Sequence, residues 1–174
     1  MDRELIALDT LRASGRTGAA IFAAGCAERL RPLLHHVPSG AAPLVAGLAL
    51  TALWRILEGL QRPDPRHLQE LSKACWTLVE IEPVPKVRTE HLEALVGAAH
   101  DALETYLSGD SQHALAAAKK CAAVAGKDEP ARQAVDLAEI AAARGALPQL
   151  ATRMRQRAET DGEQVVRGLV GDRD

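Results

Sequence analysis

Phe22-Ala23-Ala24-Gly25-Cys26-Ala27-Glu28-Arg29-Leu30-Arg31-Pro32 sets an acid and a base side by side in a run that is otherwise mostly alanine and aliphatic. At about 100° per residue, a helix puts Phe22, Cys26, Arg29 and Leu33 on one face and turns Glu28 about 100° away from Arg29. The Arg29 guanidinium is thereby aimed along an apolar stripe, where a charge is costly without a partner. The spacing predicts a structural ion pair or anion contact at Arg29, with Glu58, Asp101 or Glu104 as carboxylates that would tie helices together. Glu28, on another face, is expected to act apart from Arg29 and to matter less to stability.

Working outward, helical patterns separated by Gly and Pro breakers account for the whole chain, and no stretch alternates as a strand would. Leu5 to Leu11 form a short first helix that stops at Ser14-Gly15, with Thr17 as cap of a second helix running to about His36. Pro38-Ser39-Gly40 breaks the chain before an apolar third helix, Leu44 to Leu60, which is expected at the centre of the bundle with Trp54 opposite Val45, Ala49, Ala52 and Ile56. Asp64-Pro65 caps and opens a fourth helix through Leu68, Leu71, Cys75, Leu78 and Val79. Glu82-Pro83-Val84-Pro85 reads as an extended linker, and Thr89 as cap of a fifth helix striped by Leu92, Leu95, Val96, Ala99, Leu103 and Tyr106. Ser111 to Ala125 and Asp128 toward Gly145 make the sixth and seventh helices. Pro148 starts the last, expected to fray around Gly162 and after Gly168. The expectation is an all-α, single-domain, orthogonal or irregular bundle of seven or eight helices over residues 1–174, with its core in 5–166 and a frayed tail at 167–174.

Composition agrees. The 174 residues are 47% hydrophobic and 25% charged, within the globular range, and only 2% aromatic, so Leu, Val, Ile and Ala must fill the core. A net charge of -2 disfavours a nucleic-acid partner. Cys26, Cys75 and Cys121 are far apart and each lies in an apolar segment, as core thiols do in a reducing compartment. The longest aliphatic run, Ala41 to Leu53, is too short to span a membrane, and no signal-peptide pattern opens the chain, which points to the cytoplasm.

Chemistry is sparse. Glu93, His100 and Glu104 fall within about 40° of one another on the fifth helix, a spacing that could gather two carboxylates and an imidazole around one metal ion or ligand. The competing reading is a solvated flank with an i,i+4 His-Glu pair. His35-His36 at a helix end offers either a metal handle or favourable contact with the last carbonyls. No nucleophile elbow or phosphate-cradling loop is present, and no cofactor is called for.

Phe22, Cys26, Glu28-Arg29 and Pro32, together with Leu53-Trp54 and the turn Tyr106-Leu107-Ser108-Gly109-Asp110 followed by His113-Ala114-Leu115, resemble the YjaG-type family of small bacterial helical proteins of unknown function. The similarity covers roughly Leu5 to Val166. The chain departs from the family pattern at Leu33-Leu34, where the family has an aromatic, and in a trimmed acidic stretch near the fourth helix. The resemblance implies an all-helical domain and no assigned reaction, cofactor or partner. The functional expectation is a non-catalytic protein that associates with another protein, itself included, through Ala-rich faces of the sixth and seventh helices. The alternatives are a metal- or small-molecule-dependent enzyme built on Glu93, His100 and Glu104 with Arg29 holding an anion, and an immunity or antitoxin-like protein.

Overall fold

The computed structural model describes residues 3–77, 81–143 and 145–171. It is an all-α bundle: α1 (Arg3–Ala13), α2 (Gly15–Glu28), α3 (Leu44–Leu57), α4 (Pro65–Thr77), α5 (Thr89–Ser108), α6 (Ser111–Ala125), α7 (Glu129–Ala142) and α8 (Leu147–Gly171), with a 3₁₀ turn at Arg31–His36. Among the described residues, extended pairing is limited to a single bridge between Val84 and Val87. No helix among them is long and apolar enough to cross a membrane.

Local chemistry sets most boundaries where the sequence puts them. Asp64 accepts from the His67 amide at 3.2 Å, Asp110 from the Gln112 amide at 2.9 Å, and Pro130 occupies the first turn of α7. Gly109 closes α5 in the left-handed region, φ 76°, with its amide on Thr105 O, a conformation that costs glycine nothing. Ser108 Oγ accepts from the Asp110 amide at 3.0 Å, so Ser108, Gly109 and Asp110 together build the turn that redirects the chain into α6.

Four expectations are corrected. The second helix does not reach His36: it ends at Glu28, and the chain tightens into the 3₁₀ turn that begins beside Pro32, which has no amide to continue an α-helix. Thr17 and Thr89 lie inside α2 and α5 rather than capping them. The central element is α2, not α3: every residue from Gly18 to Glu28 is buried, and α2 packs on α1, α3, α5, α6, α7 and α8. Its Ala and Gly side chains let neighbours approach on all sides, whereas the more hydrophobic α3 leaves Leu48 64% exposed. Finally, α8 does not fray at Gly162 but continues to Gly171. A Cβ at Gly162 would stand 2.9 Å from the Arg29 carbonyl oxygen, so this glycine is where α8 crosses the end of α2. Leu78 and Val79, assigned to the fourth helix, lie outside the described residues.

Candidate functional site

The two charged residues that end α2 face opposite surroundings. Arg29 is 1% exposed. Its Nη1 donates to Glu129 Oε1 at 3.0 Å, its Nη2 to Asp136 Oδ2, and its Nε lies 3.5 Å from Asp161 Oδ2. Arg157 donates to the other oxygen of Asp136 at 2.7 Å and to Glu139 at 2.6 Å, and Arg153 reaches Glu139 at 3.1 Å. The side chain that caps α2 is thus held by two carboxylates of α7 and one of α8, and α8 returns two guanidiniums to α7.

The carboxylates expected for Arg29 go elsewhere. Glu58 pairs with Arg155 at 3.2 Å, Asp101 with Lys120 and His113, and Glu104 accepts from Ser72. Glu129 and Asp136 sit seven residues apart on the face of α7 that also carries Ile140, so they are packed inward with the apolar side chains. Burial raises the Glu129 carboxyl above its ordinary value against the pull of Arg29 and Gln133. Its Oε2 makes no hydrogen bond among the described residues and has Arg132 Nη1 at 3.9 Å. Desolvation works against the charge on Arg29, but the carboxylates of Asp136 and Glu129 outweigh it and hold the guanidinium charged.

Glu28 points the other way. Its Oε2 accepts from the Trp54 indole at 2.8 Å and its Oε1 from Arg31 at 3.2 Å, while Arg31 Nη2 donates to Thr51 at 2.6 Å. Glu28 is buried, but it forms part of the wall of a cleft of about 360 Å³ with Arg31, Pro32, His35, Arg155, Glu159 and Glu163. Burial raises its carboxyl pKa, with Arg31, the Trp54 indole and Arg155 only partly compensating. Glu28 thus brings a buried carboxyl to the edge of an open cleft. A cavity of about 460 Å³ between Pro38–Pro43 and Glu82–Val84 has Glu82 as the sole ionisable residue in its lining and offers less chemistry.

The fifth-helix residues do not form the expected trio. His100 and Glu104 come together on Ser72 of α4: Ser72 Oγ donates to Glu104 and lies 3.0 Å from His100 Nδ1, and Trp76 covers the imidazole with ring centroids 5.2 Å apart. Glu93 is exposed in a separate groove with Arg88, Glu90 and Lys120. Among the described residues no three His, Cys, Asp or Glu side chains stand close enough to hold a metal ion. With Ser72 only 3% exposed, this cluster serves to clamp α4 to α5. Sequence reading missed Ser72 because a serine within a helix carries no local mark of its distant partners.

The remaining motif positions are packed. Phe22, Cys26 and Trp54 are buried, and Pro32 borders the cleft. Cys26, Cys75 and Cys121 are free and buried, and burial pushes all three thiols up, Cys75 to about 11, so none is poised as a thiolate. No protein family, curated protein or solved structure matches the chain.

Proposed function

We propose that the protein works without catalysis, by associating with protein, and in the first instance with a second copy of itself through the outer face of α7. One observation carries this reading: every exposed residue of α7 is Pro, Ala or Val, namely Pro130, Ala131, Ala134, Val135, Ala138, Ala141 and Ala142. An ordinary surface helix puts charge on its solvent side. On α7 the charges Glu129 and Asp136 point inward to Arg29, and the outer face is left small and apolar, a surface on which two helices can approach closely.

The area limits the strength. A 14-residue helix is about 21 Å long, and a strip about 10 Å wide gives roughly 200 Å² per partner, against about 800 Å² in a standard interface. Association in the micromolar range or weaker is expected. Sedimentation across micromolar to submillimolar concentration tests it: a dimer fraction that rises with concentration and disappears in Val135→Glu is expected, and a monomer throughout would overturn it.

A further inference from the structure

α7 is fastened to the bundle unlike the other helices. Ile140 is its one buried apolar residue, where each of the others buries at least two, and Leu137, a turn earlier, is half-buried. The rest of its inner face is held by charge: Glu129 and Asp136 on Arg29, Asp136 and Glu139 on Arg157, and Glu139 on Arg153. Gln133 adds a bond to the Ala118 carbonyl of α6 at 3.0 Å. Ile140 itself borders a hollow of about 350 Å³ shared with Thr10, Ala13 and Leu147. The joints on either side of the helix are glycines in the left-handed half of backbone space, Gly126 at φ 87° and Gly145 at φ 89°. Both are exposed, and nothing packs within 4 Å of where a Cβ would stand.

We infer that α7 is a hinged strap, which lifts from the folded bundle as one unit by turning at Gly126 and Gly145 and so uncovers Arg29. Lifting a helix held by apolar area exposes that area to water, whereas separated ion pairs recover the hydration they lost on docking. A helix held mainly by charge therefore needs less free energy to release than one held by a core, and it opens below the threshold of global unfolding. Glu129 Oε2, buried without a hydrogen bond among the described residues, also gains water when the strap lifts. Glycine turns freely at both joints, and no neighbour has to move with it. The uncovered face presents Arg29 with Arg153 and Arg157 of α8. Docked α7 supplies every carboxylate paired with Arg153 and Arg157 and two of the three on Arg29, so once it lifts only Asp161 remains, on Arg29. The strap thus decides whether a cationic face is shown. The device is separate from pairing through the outer face of α7 and stands whether or not the protein self-associates.

Sparse labelling of the native full-length protein with phenylglyoxal, mapped by peptide mass spectrometry beside amide exchange, tests the strap at low micromolar concentration. The protection of Arg29, 1% exposed when the strap is closed, should match that of the α7 amides and fall about tenfold or more below that of the α5 amides. Glu139→Gln loosens the hold of Arg153 and Arg157 without touching a partner of Arg29, and should lower both protections about fivefold further while α5 keeps its own. Gly126→Ala strains the closed joint and should lower them about tenfold. The two variants act on different parts of the strap, so failure of one to fold leaves the other as the test. Arg29 as protected as the α5 amides, α7 and α5 amides released together, or Arg29 protection unchanged in the folded variants would overturn the inference.

Discussion

Arg29 and Glu28 are neighbours in sequence, and both are almost fully buried, yet one is sealed and the other borders an opening. Arg29 is closed in by α7 and α8, and its three carboxylate partners come from residues 129, 136 and 161. Glu28 is held by Arg31 and by Trp54 and Thr51 of α3, directly or through Arg31, and it adjoins solvent through the cleft. The difference teaches that a buried charge is not by itself a site. With several opposite charges packed around it, it is a joint between helices; with partial compensation and a path to water, it borders an open cleft.

Arg29→Ala is the strongest way to break this comparison. It leaves the buried Glu129 without its main partner and Asp136 with Arg157 alone, and should cost about 3–5 kcal/mol in urea unfolding. Gly162→Ala should cost about 1–3 kcal/mol, because its Cβ would meet the Arg29 backbone and push α8 off the end of α2. Glu28→Ala strands the Trp54 N–H, but Arg31, whose side chain is 28% exposed, can turn to water, so a smaller loss of about 1–2 kcal/mol is expected.

Glu28 also carries a pH signature. Its folded pKa lies above the unfolded value, so the folded state binds the extra proton. Relative to Glu28→Gln, the wild type should gain stability as pH falls from above the folded pKa toward about 4.3, and lose it again as pH rises through that pKa. Unfolding curves of the two proteins across mildly acid pH check the sign; a wild type that loses ground on acidification contradicts it. The smallest expected effect lies far from both residues. Lys86 holds φ 66° after Pro85 in the turn between Val84 and Val87. Lys86→Gly removes a left-handed cost of about 1–2 kcal/mol against about 0.5–1 kcal/mol of glycine entropy, for a net gain of about 0.5 kcal/mol in melting experiments.

Much of the fold is legible in the sequence because helix ends are local chemistry. Asp64-Pro65, Ser108-Gly109-Asp110 and Asp128-Glu129-Pro130 need only nearby residues to act, and they mark helix ends as read. Centrality is less legible: hydrophobicity singles out α3, but close packing on all sides favours the Ala and Gly residues of α2. The placement of Arg29 on an apolar stripe was readable, and its partners were not, since they lie 100 or more residues away and depend on how α7 and α8 return. One signal was available: Glu129, Asp136 and Ile140 share a helical face, which sets two acids on an apolar stripe. For Glu28 the helical angle gave the separation from Arg29 but not the Trp54 bond or the cleft, because the bond depends on how α3 packs on α2 and the cleft is walled in part by the 3₁₀ turn that replaces the expected continuation of α2.

The central claim is that Arg29 joins α7 and α8 to α2, whereas Glu28 holds only the cleft side. Native-state hydrogen exchange, read helix by helix in Arg29→Ala and Glu28→Ala, tests it most directly. Arg29→Ala should lose protection chiefly in α7 and the middle of α8, and Glu28→Ala chiefly in the Arg31–His36 turn and α3. Protection lost in the same helices for both variants, or intact α7 amides in Arg29→Ala, would contradict the account.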